Sequence, residues 1–130
     1  MIATLRLIQN QKLAAVLFVI ASVIIIIASD LEENVEIQKE NGVKIAYTPT
    51  PAQITLFAIG IITLGTLIFA YNATVRLDQI NLQMLKGKAK GTLRPHLWNF
   101  AGSWLFVFGA ISLLIGSKII VEEESEIEIL

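Results

Sequence analysis

Leu13–Ser29 reads LAAVLFVIASVIIIIAS, seventeen residues without an Asp, Glu, Lys, Arg or His. Two further stretches share that character: Ile54–Tyr71, ITLFAIGIITLGTLIFAY, and Leu97–Ser117, LWNFAGSWLFVFGAISLLIGS. As helices rising about 1.5 Å per residue they extend roughly 25, 27 and 31 Å, against a bilayer hydrocarbon core of about 30 Å. Flanking apolar residues such as Leu31 and Ala52 lengthen the first two. One such block suits a buried helix of a soluble domain, but three in a chain of 130 residues do not. The blocks predict an all-α membrane protein, a three-helix transmembrane bundle forming one domain over residues 1–130, multi-pass in the cell membrane.

The segments between the blocks give the direction of crossing. Arg6 and Lys12 precede the first block, and Arg76, Lys86, Lys88, Lys90 and Arg94 lie in the 72–96 segment with one acid, Asp78. The opposite side holds Asp30, Glu32, Glu33, Glu36, Glu40 and five glutamates of the 118–130 tail, against Lys39, Lys44 and Lys118. Three crossings put both basic segments on one side, as the positive-inside rule requires, with the N-terminus in the cytoplasm and the C-terminus outside. Tyr71 and Trp98 are then expected as inner interfacial anchors. A cleaved signal peptide competes for the first block, with Arg6 and Lys12 as its basic region. Seventeen apolar residues exceed a usual signal core and no clean A-x-A site follows, so a retained span is expected.

Outside the membrane, the 30–53 loop carries alternating Val35 and Ile37, then Val43, Ile45 and Tyr47, with Asn41-Gly42 between. That pattern predicts a small extracytoplasmic β-hairpin between the first two helices. A three-residue Glu40-Asn41-Gly42 turn pairs Ile37 with Ile45 and Val35 with Tyr47, making one face apolar, with Gly42 left-handed. Pro49 and Pro51 then end the strand. The tail offers Ser125–Leu130 as a third strand or, equally, a fraying helix. On the inner side Val75, Leu77, Ile80, Met84 and Leu85 form a helical stripe continuing the second block to Lys86. Gly87-Lys88-Ala89-Lys90-Gly91 reads as a flexible basic turn.

Within the blocks, small residues pair every seven positions: Ala14-Ala15, Ala21-Ser22 and Ala28-Ser29, then Gly102-Ser103, Gly109-Ala110 and Gly116-Ser117. A seven-residue repeat stays on one slowly drifting helix face, and small side chains there let backbones approach closely. Ala14, Ala21, Ala28, Gly102, Gly109 and Gly116 are the predicted packing seam. Ala58, Gly65 and Asn72 form a weaker version in the second block. Thr63, Thr66 and Ser112 are expected to bond their own helix backbone.

The inventory excludes much chemistry. The chain is 55% hydrophobic with mean hydropathy +0.69, above the roughly 45–50% apolar content of a soluble domain. Net charge −1 fits no nucleic-acid partner. With no cysteine there are no disulfides, thiolate metal sites or iron–sulfur clusters. No ionisable side chain lies within a block, where one marks a functional site by default. His96, the one histidine, cannot supply bis-histidine haem ligation or a zinc cluster and is expected as an interfacial anchor beside Trp98. Glu32-Glu33 and Glu122–Glu124 lack EF-hand spacing and read as solvated faces. No catalytic residue, cofactor or metal site is therefore expected.

These readings predict a non-catalytic accessory or structural subunit, whose partners are the lipid bilayer and other membrane chains or copies of itself. A small homo-oligomeric channel or passive transporter, lined by Thr63, Thr66 and Ser112, is the alternative. A lipid enzyme using His96, Asn99 and Asp78 is the weakest reading, since geometry rather than inventory defines a site.

Overall fold

The computed structural model describes residues 2–88 and 91–129, so Ala89 and Lys90 of the basic turn and Leu130 of the tail lie outside the described residues. It contains three helices, each long and apolar enough to cross a membrane: α1 (Ile2–Glu40), α2 (Pro51–Leu85) and α3 (Arg94–Ile129). Their 39, 35 and 36 residues correspond to roughly 58, 52 and 54 Å at about 1.5 Å per residue. Each therefore outruns the roughly 30 Å of a hydrocarbon core: the 13–29 span is the middle of α1, while 54–71 and 97–117 occupy the N-terminal parts of α2 and α3.

The hairpin expected in the 30–53 loop is absent: no strand occurs among the described residues, and α1 stays helical through Val35 and Ile37 to Glu40. The physical reason lies in LEENVEIQKE itself. Leu, Glu, Gln and Lys are strong helix formers, and a segment following an established helix needs only propagation, not nucleation. Its half-buried residues, Leu31, Asn34, Val35 and Gln38, follow the helical spacing rather than the alternation of a strand. The Asn41-Gly42 signal works as a helix stop. Gly42 does adopt the left-handed region (φ 81°), but its N–H donates to Lys39 O (3.1 Å) and the Val43 N–H to Gln38 O (2.8 Å). That pair of bonds is the Schellman closure of α1. The same closure ends α2, where Gly87 (φ 69°) donates to Met84 O and Lys88 to Gln83 O. The tail strand is likewise replaced by helix, since α3 continues through Ser125 to Ile129.

Residues 43–50 return from the tip of α1 to the start of α2 without regular structure. Ile45 and Tyr47 are half-buried while Val43, Lys44 and Ala46 are exposed, so the alternation survives in an extended segment laid along α1. Asn34 Nδ2 donates to Tyr47 Oη and fastens the segment there. Pro51 opens α2 where its missing N–H has no partner to lose. Thr50 caps it: Thr50 Oγ1 accepts from the Gln53 N–H (3.3 Å) and Gln53 Oε1 accepts from the Thr50 N–H (3.0 Å), a reciprocal capping box.

The bundle is a layer with α2 in the middle. α1 packs on α2 and α2 on α3, and among the described residues no Cα of α1 comes within 8 Å of a Cα of α3. The buried positions are small: Ala14, Ala21, Ala28, Ala58, Gly65, Thr63, Thr66, Ala70 and Ala110, with Leu7, Ile59 and Val107 as larger members. The large apolar side chains point outward, among them Val19 (64% exposed), Phe57 (65%) and Phe106 (72%). This is the reverse of a water-soluble core, and it suits a molecule whose surroundings are as apolar as its side chains.

Candidate helix seams and polar cleft

Two faces of α2 hold its two neighbours. Ala58, Gly65 and Asn72, seven residues apart, face α1, whose Leu7, Ala14, Ala21 and Ala28 are buried at the same interval. Without a side chain at Gly65 the Phe18 ring closes over the α2 backbone; a Cβ built there would stand 2.8 Å from Phe18 Cε1. Phe18 stacks on Phe69, ring centroids 5.4 Å apart and planes 8° from parallel. Near the start of α1, Asn72, 5% exposed, donates from Nδ2 to Leu7 O (2.8 Å), and its Oδ1 accepts from Asn10 Nδ2 (3.4 Å). A buried amide in an apolar interface needs partners, and Asn72 finds both on α1.

The second face, Ile59, Thr63, Thr66, Ala70 and Thr74, turns toward α3, where Trp104 Nε1 donates to Thr74 Oγ1 (3.1 Å). On α3 the buried and half-buried series is Ser103, Val107, Ala110, Leu114 and Ser117, at alternating intervals of four and three. Three of these are the second members of the small pairs. The glycines of those pairs stand elsewhere: Gly102 is half-buried, Gly109 and Gly116 are exposed, and no atom lies within 4 Å of a Cβ built on any of them. Gly102 and Gly109, with Ile62, Thr66, Phe106 and Leu113, line an open groove along α2 and α3. The predicted seam residues thus separate into Ala14, Ala21 and Ala28, packed inside the chain, and Gly102, Gly109 and Gly116, which are not.

The uncharged hydroxyls bond their own helices: Thr63 Oγ1 donates to Ile59 O, Thr66 Oγ1 to Thr63 O, and Ser112 Oγ to Phe108 O. A third feature has no counterpart in the sequence reading. At the end of the layer where α1 begins, Gln11, Asn72, Arg76, His96, Asn99 and Ser103, from all three helices, line a cleft of about 320 Å³ with Phe69 and Ala73. His96 is half-buried in it, whereas Trp98 is 71% exposed on another side of α3. Of the three residues considered for lipid chemistry, His96 and Asn99 come together here, and Asp78 does not line the cleft. No three His, Cys, Asp or Glu side chains converge on a common point among the described residues. The one signal that could have found the cleft is the i, i+3, i+7 spacing of His96, Asn99 and Ser103.

Searches of known protein families, characterised proteins and solved structures give no match to this chain.

Proposed function

We propose that the protein is a non-catalytic subunit of a larger membrane assembly, joined to it by another transmembrane helix seated in the α2–α3 groove. The observation that carries this reading is the contrast between the two small-residue faces. The alanine face of α1 is filled by α2 of the same chain, while Gly102 and Gly109 floor a groove that nothing among the described residues fills. In lipid the driving force between helices is close packing, and a backbone bared by glycine is the surface on which a second helix gains most. The proposed placement is the cell membrane, with the N-terminus and the α2–α3 connection cytoplasmic. Arg6, Lys12, Arg76, Lys86, Lys88 and Arg94 support it, lying at one end of the antiparallel layer with most acids at the other.

The test is the composition of the complex extracted from native membranes in mild detergent. Other chains co-purifying at fixed stoichiometry, and lost on Gly109→Leu, support the subunit reading. A monomer, or transport or turnover by the purified chain alone, overturns it. A homo-oligomeric passive channel is a second reading, favoured by the free edges of the layer at α1 and α3, along which copies can associate into a ring. Against it, Thr63, Thr66 and Ser112 spend their hydroxyl protons on their own helix carbonyls. Absence of flux from liposomes containing only this protein removes the channel reading.

A further inference from the structure

We infer that the polar cleft binds the phosphate headgroup of an anionic membrane lipid. Its walls come from all three helices: Gln11 from α1, Asn72 and Arg76 from α2, and His96, Asn99 and Ser103 from α3. Every one of these side chains offers an N–H or O–H donor, and no carboxylate lines the cleft. Asn72 is already engaged with α1, which fixes the floor. The side chains of Arg76, His96, Asn99 and Ser103 donate to nothing else in the chain among the described residues. Arg76 has no carboxylate within 4.0 Å, the one ion pair among those residues being Lys118–Glu122. A guanidinium with its fork free, beside amide, hydroxyl and imidazole donors, matches the oxygens of a phosphate diester. His96 and Asn99 stand in the first two turns of α3, whose N-terminal end adds partial positive charge.

The source of the phosphate follows from the cleft's surroundings. On its membrane side it is bounded by Phe69, stacked on Phe18, and beyond these α2 and α3 present apolar residues. Arg76 is one turn beyond the apolar 54–71 segment and His96 immediately precedes the 97–117 segment, the depth of lipid headgroups rather than of bulk water. The cleft lies between α1 and α3, whose Cα atoms stay more than 8 Å apart among the described residues, so acyl chains can lie along the layer while the headgroup occupies the polar end. A soluble phosphate would gain nothing from that apolar wall.

The test uses the full chain in detergent and native mass spectrometry, titrated separately with phosphatidylglycerol, phosphatidylcholine and inorganic phosphate. A single phosphatidylglycerol per chain is expected to be retained in preference to phosphatidylcholine. Arg76→Gln should weaken it about ten-fold, the scale of one lost charge-assisted contact. Asn99→Ala should weaken it less, and Lys86→Gln, on the basic turn outside the cleft, should leave it unchanged. Equal retention of the two lipids overturns the inference. So does equal weakening by R76Q and K86Q, or no weakening by either R76Q or N99A. Displacement of the lipid by millimolar inorganic phosphate would assign the cleft to a soluble anion instead, and likewise overturns it.

Discussion

Gly65 and Asn72 do opposite work on the same face of α2. Gly65 contributes an absence, and Phe18 fills it. Gly65→Leu must push the ring off Phe69 or part the helices, and overpacking of this kind costs about 1–3 kcal/mol. Reversible unfolding in mixed micelles should register that loss, and Phe18→Ala in the same background should recover part of it. Asn72 contributes a bond that apolar residues cannot. Asn72→Leu keeps the branching at Cγ, with somewhat greater bulk, but gives up the donation to Leu7 O, worth about 0.5–1.5 kcal/mol between helices in a membrane protein. The same titration should find it smaller than the Gly65→Leu effect. Both residues were legible as members of a seven-residue repeat. What the repeat could not convey is that Asn72 is clasped and Gly65 covered, because both depend on residues of α1 some fifty or more positions away.

At the scale of the element, the helices were legible in kind and, apart from the end of α2 at Lys86, illegible in length. The absence of charge marks where a helix meets lipid, not where it ends, and the ends are written in caps. Thr50-Pro51-Ala52-Gln53 carries a capping box and Asn41-Gly42 and Lys86-Gly87 carry glycine closures, all local chemistry open to inspection in the sequence. Val35 and Ile37 misled because two alternating residues fit a strand as easily as a helix, and Asn-Gly serves hairpin turns and helix stops alike. The consequence is testable along residues 30–40. Single spin labels there should show accessibility repeating about every 3.6 residues, with minima near Leu31, Asn34 or Val35, and Gln38. A two-residue repeat would restore the hairpin. Replacing Gly42, held at φ 81°, with Val should unwind the last turn of α1 at a cost of about 1–2 kcal/mol, visible as loss of that periodicity beyond Gln38.

For the whole molecule, the small-residue repeat on the first and third helices leaves open in the sequence whether it serves one use or two, a seam within the chain or between chains. It has two: on α1 it closes the α1–α2 contact, and on α3 the contact with α2 is shifted one residue onward to Ser103, Ala110 and Ser117, leaving the glycines outside. Nothing in the repeat distinguishes these cases, since a helix face is defined by what sits opposite it. The polar cleft was illegible for the same reason: Gln11, Arg76 and His96 are ordinary polar residues until α2 sets them around one space.

Because the α1 and α3 backbones each pack on α2 and not on one another among the described residues, the molecule is built like two hinged pages on a common spine. Its mechanical response follows. Pulled vertically from its two ends out of a bilayer, the chain has no close α1–α3 backbone packing among the described residues to resist the first departure, so the two interfaces should yield one after the other rather than together. Magnetic-tweezer traces should contain a discrete intermediate with one terminal helix extracted and the other still docked on α2. Gly65→Leu should lower only the force at which α1 leaves. A single concerted rupture would mean that the two pages are bound to each other as well as to the spine.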